Sequence, residues 1–161
     1  MQSKEIRFKL DEYNSSDELN SADRELLEKA RKATANAYAP YSQFRVAAVA
    51  KLSTGEFVAG TNQENASFPV GICAERTLLS TISSIYPESS IDTIAVSYLN
   101  ENAASDTPIA PCGICRQTLN EYEQRMHQPV RLILAGQTGK VFIIPEAGHL
   151  LPLAFVKENL I

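Results

Sequence analysis

Apolar residues alternate between helical and strand-like spacing along this chain, and that order constrains its fold more than any other feature. The apolar residues within 21–37 have helical spacing, and Ser21 is the candidate N-cap of this helix. RVAAVAKL (45–52) and EFVAGTN (56–62) have strand composition, and the STG turn between them predicts a hairpin. Further helices are expected at about 73–85 and 112–126, and further strands at 91–98, 130–135 and 140–144.

This order predicts an α/β domain in which helices cover both faces of a sheet of about five strands. A length of 161 residues suits one domain, which we expect over residues 21–161. Residues 1–20 are polar apart from a short alternation of Ile6, Phe8 and Leu10. We expect this segment to form an N-terminal arm or an added edge strand.

The charge distribution limits the partners that the chain can have. Its net charge is -4 and it contains no run of lysine and arginine, so a nucleic-acid-binding surface is not expected. No apolar run approaches the length of a membrane span, so a membrane partner is not expected either. The opening residues, MQSKEIRFKL, lack the apolar core of a signal peptide. We therefore expect a cytoplasmic protein.

The chain contains three cysteines, Cys73, Cys112 and Cys115, and an odd number cannot all form intramolecular disulfides. In PCGIC (111–115) two of them lie three residues apart, which puts them on the same helical face. Cys73 also stands at a predicted helix start, where the helix dipole favours the thiolate. Three thiolates near two helix ends suit Zn²⁺.

Three protein ligands favour a catalytic zinc site over a structural one, because structural sites are normally closed by four. There is no fourth cysteine, and neither His127 nor His149 has ligand spacing. The fourth position would belong to water. Glu75, two residues after Cys73, is placed to exchange protons with that water. Arg76 is a candidate to hydrogen-bond the sulfurs and reduce their negative charge.

Each of these features has a more ordinary explanation when it occurs alone. CxxC by itself indicates structural zinc or redox chemistry more often than catalysis, and a glutamate in a first helical turn usually serves the dipole. The joint occurrence of CAER and PCGIC favours catalysis. Two alternatives to a catalytic zinc site remain. One is a zinc-stabilised interaction module, which requires a fourth ligand, and the other is a thiol oxidoreductase, which works without metal.

Several segments in order resemble the small homotetrameric class of cytidine deaminases: PYSQFRV (40–46), GTNQENASF (60–68), GICAERT (71–77), PCGICRQTL (111–119) and LLPLAF (150–155). The resemblance implies a three-layer α/β/α sandwich around a five-stranded mixed sheet. It also implies a Cys₃ zinc site with a non-ligand glutamate as the proton shuttle. The ligands would be Cys73, Cys112 and Cys115, and the shuttle Glu75.

By the same resemblance, five further residues contact the substrate. Phe44 would pack against the pyrimidine, Asn62 and Glu64 would hold the ribose hydroxyls, and the Ala74 N–H would meet the base carbonyl. Phe155 would enter a neighbouring subunit's pocket. The chain departs from the family pattern at Ala47, where glycine is usual, and at Phe68, where tyrosine is frequent.

The resemblance implies a homotetramer that deaminates free cytidine and deoxycytidine to uridine and deoxyuridine in pyrimidine salvage, releasing ammonia. An alternative is a sister zinc deaminase that acts on a nucleoside antibiotic or another nucleoside analogue. The presence of Phe44, Asn62 and Glu64 together argues against that alternative.

Overall fold

The computed structural model describes residues 1–160, which form three α-helices, six strands and several short 3₁₀ turns. The helices are α1 (Ser21–Ala33), α2 (Ala74–Ile85) and α3 (Gly113–Met126). The strands are β1 (Asp11–Tyr13), β2 (Phe44–Leu52), β3 (Phe57–Thr61), β4 (Ile91–Asn100), β5 (Arg131–Ala135) and β6 (Val141–Ile144). None of the helices among these residues is long and apolar enough to cross a membrane.

The strands form one mixed sheet in the order β1-β6-β5-β4-β2-β3. β4 and β5 run parallel, and every other neighbouring pair is antiparallel. All five expected strands are present, but the predicted count of five was wrong because β1 adds a sixth. β1 pairs antiparallel with β6 over only three residues, from Asp11 opposite Ile143 to Tyr13 opposite Val141. A strand as short and polar as DEY leaves no apolar periodicity to detect.

The helices cover both faces of the sheet, as predicted. Along β2, β4 and β5, successive side chains point alternately to the two faces. On one side, α1 buries Leu26, Leu27 and Ala30 against a cluster that includes Val49, Ala95 and Ile133. On the other, α2 and α3 bury residues such as Leu78, Ile82 and Leu119 against Ala50, Ile94 and Leu132. Burial of a leucine or isoleucine side chain contributes about 1.5–3 kcal/mol, so these two clusters hold the three layers together.

Helix α1 begins one residue earlier than the sequence indicated. Its N-cap is Asn20, whose Oδ1 accepts a hydrogen bond from the Asp23 N–H at 2.9 Å, so Ser21 is the first helical residue and not the cap. The helix then tightens into a 3₁₀ turn at Thr34–Asn36 instead of continuing to Ala37. Both side chains can cap a helix, and only the backbone geometry decides which of them does so.

Gly60 allows the start of α2 to lie directly on β3. A Cβ atom at this position would stand 2.6 Å from the Ala74 carbonyl oxygen and even closer to the Leu78 nitrogen. Both are backbone atoms, which cannot move aside as a flexible side chain can. The absence of a side chain at Gly60 therefore sets the height of the first turn of α2 above the sheet.

Candidate active site

The three cysteines come together where two helices begin. Cys73 is the N-cap of α2 and Cys112 is the N-cap of α3, and Cys115 lies in the first turn of α3. The Cys73 and Cys112 sulfurs are 3.8 Å apart, and the Cys112 and Cys115 sulfurs are 3.5 Å apart. All three thiols are free, and all three sulfurs lie within 4.8 Å of one another.

This arrangement fits a tetrahedral thiolate-bound metal ion. With Zn–S bonds of about 2.3 Å, a tetrahedral ion holds its sulfurs roughly 3.8 Å apart. The observed distances between sulfurs lie close to that value. Within residues 1–160, the group of metal-ligand side chains at this site has three members, so a fourth protein ligand does not close it. The donor set therefore suits an ion with one open position.

The thiols have different proton affinities in the metal-free protein. Burial raises the pKa of Cys73 and, more strongly, that of Cys115, which also lies near the Glu75 carboxylate. Burial acts in the same direction on Cys112, but the backbone N–H groups of Cys115 and Ile114 and the neighbouring thiols outweigh it and lower its pKa. Because metal ligation requires thiolates, metal binding at this site must release protons.

Glu75 belongs to the same site without being part of the three-cysteine group. It lies in the first turn of α2, is only 5% exposed, and lines the same cavity as Cys73 and Cys112. Burial raises the pKa of its carboxyl group, although its own backbone N–H and the Cys115 thiol act in the opposite direction. A carboxyl group with a raised pKa holds a proton more readily than an ordinary glutamate, which suits a group that accepts and returns protons.

The cavity beside the sulfurs has a volume of about 430 Å³. Within the described part of the chain, its lining contains two carboxylates, Glu64 and Glu75, and no lysine, arginine or histidine. Apart from the Cys73 and Cys112 thiols, the other lining residues are apolar or carry neutral amides. The lining residues are Val46, Asn62, Gln63, Glu64, Asn65, Phe68, Gly71, Ile72, Cys73, Ala74, Glu75, Ile109, Ala110 and Cys112.

Asn62 and Glu64 line this cavity and are both held by backbone groups. The Asn62 Oδ1 accepts a hydrogen bond from the Val46 N–H at 2.7 Å, and its Nδ2 donates to the Phe44 carbonyl at 2.9 Å. The Glu64 Oε2 accepts from the Tyr41 N–H at 2.8 Å. The Ser42 side chain and the backbone N–H groups of Tyr41 and Ser42 lower the pKa of Glu64, so its carboxylate is ionised at neutral pH.

Ala74 also lines the cavity, fully buried as the first residue of α2. The N–H groups of a first helical turn have no acceptor within the helix, and the Cys73 side chain does not cap this one. These amides and the helix dipole give the end of α2 a partial positive charge beside the sulfurs. The same holds at Cys112, the N-cap of α3.

Three residues predicted for the site lie outside the lining of the cavity. The Phe44 ring stacks on Tyr98, with a centroid distance of 4.9 Å and an interplanar angle of 15°. Phe155 is 59% exposed, and its carbonyl accepts a hydrogen bond from the Gln117 Nε2 at 2.9 Å. Arg76 is half-buried, and among residues 1–160 no hydrogen bond joins it to a cysteine sulfur. The roles assigned to these three residues stay predictions.

The sequence reasoning missed several residues of the cavity wall. Gln63 lines the cavity, and its backbone forms bridges to Tyr38 and Ile72. Its position between Asn62 and Glu64, two predicted substrate contacts, could have indicated that it lines the cavity. Ile109 and Ala110 form another part of the wall. Their position just before the PCGIC segment could have indicated that they lie near the metal ligands.

Comparison with known proteins agrees with this geometry. Residues 20–128 match the family model described as "Cytidine and deoxycytidylate deaminase zinc-binding region". This chain belongs to the cytidine and deoxycytidylate deaminase family. The deaminase is thus an enzyme, which favours catalysis over a zinc-stabilised interaction module. The match covers α1 to α3, including all three cysteines and Glu75.

Individual relatives extend the similarity of the deaminase over most of its length. It is 35% identical over 135 residues to a cytidine deaminase of Halalkalibacterium halodurans, covering 84% of this chain and 95% of that one. A probable cytidine deaminase of Dictyostelium discoideum is 34% identical over 145 residues, covering 86% and 89%. The crystal structure of cytidine deaminase from Burkholderia pseudomallei superposes with a TM-score of 0.71 at 36% identity, covering 85% of this chain and 100% of that one.

Ala47 and Phe68, the two expected departures from the family pattern, lie in different surroundings. Ala47 is fully buried in β2, where it pairs with Thr61 and Ser97, so its methyl group fits the core. Phe68 is 74% exposed at the rim of the cavity and packs edge-on against Tyr41, with a centroid distance of 5.7 Å. An exposed aromatic pair at the cavity rim suits contact with another surface.

Proposed function

We propose that the protein hydrolyses free cytidine and deoxycytidine to uridine and deoxyuridine, with release of ammonia, as a step of pyrimidine salvage. The observation that carries this proposal is that three thiols and a separate buried carboxyl group share one cavity of about 430 Å³. The relatives named cytidine deaminases support the choice of substrate.

Zn²⁺ is the proposed cofactor, held by Cys73, Cys112 and Cys115. When bound, Zn²⁺ would supply Lewis acidity that lowers the pKa of a coordinated water from 15.7 to about 7. Three thiolates carry more negative charge than Zn²⁺ compensates. The N-termini of α2 and α3 would offset part of that charge, and Arg76 would offset more by turning its guanidinium towards the sulfurs.

Glu75 would carry the protons of the reaction. Its carboxylate would take one proton from the attacking water and deliver it to ring N3 as the new C4–O bond forms. It would then pass the second proton of that water to the exocyclic nitrogen, so that the C4–N bond breaks with loss of ammonia. The raised pKa of Glu75 supports this double role, because the group must release each proton that it accepts.

The remaining cavity residues would position a nucleoside. Asn62 and Glu64 would hold the sugar hydroxyls, and the Ala74 N–H would bind the base carbonyl. Phe44, which lies outside the lining of the cavity, would turn from Tyr98 to pack against the pyrimidine. Because Glu64 is ionised and the described lining has no basic side chain, a 5′-phosphate would be repelled. The substrate is therefore a free nucleoside rather than a nucleotide or nucleic acid.

We further propose a cytoplasmic homotetramer in which Phe155 completes the pocket of a neighbouring subunit. Its 59% exposure and its position outside the cavity of its own chain support a role in another subunit. The exposed Phe68 at the cavity rim supports the same assembly. Sedimentation velocity of wild type and Phe155→Ala, read together with KM, tests this proposal.

The proposed activity is tested by following loss of the cytidine absorbance band with purified protein and assaying metal in the same sample. We expect turnover with one zinc per chain and little or no turnover of CMP. A zinc-loaded protein that leaves cytidine intact would instead favour the sister-deaminase alternative, which a screen of nucleoside analogues such as blasticidin S would examine. Turnover that persists without metal would contradict the zinc mechanism.

A further inference from the structure

Arg116 immediately follows Cys115 on α3 and joins two segments that are distant in the chain. Its Nε donates a hydrogen bond to the Pro111 carbonyl at 2.8 Å, and its Nη1 donates to the Leu150 carbonyl at 3.0 Å. Arg116 is half-buried, and Pro111 and Leu150 are buried. Both hydrogen bonds are therefore partly protected from competition by water.

The two carbonyls belong to functionally different segments. Pro111 immediately precedes Cys112, so its carbonyl lies in the peptide that enters the metal-ligand segment. Leu150 ends the 3₁₀ turn Ala147–Leu150, which begins the C-terminal tail, residues 147–155. A guanidinium is planar and rigid, and so the position of one carbonyl constrains the position of the other.

Two other side chains of α3 hold the same tail. The Glu123 carboxylate accepts hydrogen bonds from the Ala147 N–H at 3.0 Å and the Gly148 N–H at 2.9 Å. Gln117 donates to the Phe155 carbonyl at 2.9 Å. Of these three α3 side chains, only Arg116 has a hydrogen bond, within residues 1–160, to the segment that carries Cys112.

We propose that Arg116 is a positioning residue that couples metal binding at the three cysteines to docking of the C-terminal tail. The inference rests on the proposed zinc site. An ion that fixes the Cys112 and Cys115 sulfurs restricts the Pro111 peptide, and Arg116 passes that restriction to Leu150. By thermodynamic reciprocity, docking of the tail must strengthen metal binding by the same factor.

The coupling has a consequence for the far end of the tail. Phe155 lies five residues beyond Leu150, and Gln117, the neighbour of Arg116, holds its carbonyl. Loss of metal would loosen the tail at Leu150 and reduce the order of Phe155. The metal site would then influence a residue that does not line the cavity of its own subunit.

Hydrogen–deuterium exchange of the full-length protein tests the coupling without substrate. Peptides covering residues 147–155 are compared between zinc-loaded protein and protein stripped with a chelator. We expect zinc to slow exchange there in wild type, and Arg116→Met to remove most of that difference. Chelator competition should show zinc bound about tenfold more weakly in Arg116→Met than in wild type.

Arg125→Met is the matched control, because Arg125 lies on the same helix but donates to Ser83 instead of to the tail. It should retain the zinc affinity and the zinc-dependent protection of wild type. If Arg116→Met does not fold, Arg116→Lys replaces it, since one ammonium cannot bridge both carbonyls as a guanidinium does. Arg116→Lys should then lose most of the zinc-dependent protection.

Two results would overturn the proposal: tail exchange in wild type that does not respond to zinc, or an Arg116 variant that keeps both zinc affinity and tail protection. A protein that binds zinc and shows the coupling but does not turn over cytidine would contradict the proposed function alone. A protein that binds no zinc would contradict both.

Discussion

The sulfurs of Cys73 and Cys112 lie 3.8 Å apart although 39 residues separate the two cysteines in the chain. Each is the N-cap of a helix, and both helices pack on the same face of the sheet. The site therefore combines three thiols with two helix N-termini, whose partial positive charge favours thiolates. Glu75, in the first turn of α2, adds a carboxyl group that the metal ligation does not need.

Glu75→Gln should lower kcat for cytidine by at least about 100-fold, because the amide keeps the shape of the carboxyl group but cannot carry protons. Zinc content should stay at the wild-type value, since the three cysteines are unchanged. Absorbance assays and metal analysis on the same preparations measure both quantities. Glu121→Gln, an exposed substitution on α3, is the control. Near-wild-type turnover by Glu75→Gln would show that Glu75 does not carry the protons of the reaction.

Glu64→Gln should lower kcat/KM for cytidine by about 10–100-fold, through loss of a charged hydrogen-bond acceptor for the sugar. Loss of the negative charge should also narrow the preference for cytidine over CMP. Steady-state kinetics with both substrates measure the two effects. Glu56→Gln, an exposed change in the turn before β3, should alter neither. An unchanged ratio of the two kcat/KM values would contradict the role of charge at position 64.

Gly60→Ala should lower the free energy of unfolding by about 1–3 kcal/mol, because the new methyl group meets backbone atoms of α2. It should also weaken zinc binding, since displacement of the first turn of α2 moves Cys73. Urea denaturation and chelator competition measure the two effects. Gly113→Ala is the control because a Cβ atom there meets nothing within 4 Å. Equal stability of the two variants would show that α2 can move away from β3 at little cost.

Asp23→Asn should destabilise the protein by about 1.5–3 kcal/mol at pH 7, since it breaks a two-point ion pair with Arg131. Both oxygen–nitrogen distances in this pair are 2.7 Å. The Arg131 guanidinium lowers the pKa of Asp23, so the ionised carboxylate stabilises the folded state above the ordinary aspartate pKa of about 3.9. This contribution is lost as the pH falls below that value and through the lowered pKa.

The difference in stability between wild type and Asp23→Asn should therefore be constant near neutrality and shrink below about pH 4. Urea denaturation at a series of pH values measures it. Asp17→Asn, at an exposed aspartate near the start of α1, is the control for the loss of one carboxylate. A difference that stays constant down to pH 2 would mean that the ion pair does not contribute through its charge.

Most of the fold could be read from the sequence because its elements have strong apolar periodicity. The five expected strands and three helices occur within a few residues of their predicted bounds, apart from the 3₁₀ end of α1. An arm or an added edge strand was expected within residues 1–20, but the position of β1 was not predicted, because this strand is held by backbone pairing with β6 and has no apolar pattern. The Asn20 cap was missed for a related reason, since Asn20 and Ser21 have similar capping ability.

The sequence by itself determined the local chemistry: which thiols stand at helix starts, that Cys112 and Cys115 share a helical face, and that Glu75 follows Cys73 by two residues. These are short-range relationships, set by helical pitch and capping. Only the tertiary structure decided that Cys73 meets the other two cysteines and that Arg116 links Pro111 to Leu150. Contacts between distant segments depend on packing, here of α2 and α3 on one face of the sheet with Gly60 allowing the close approach of α2.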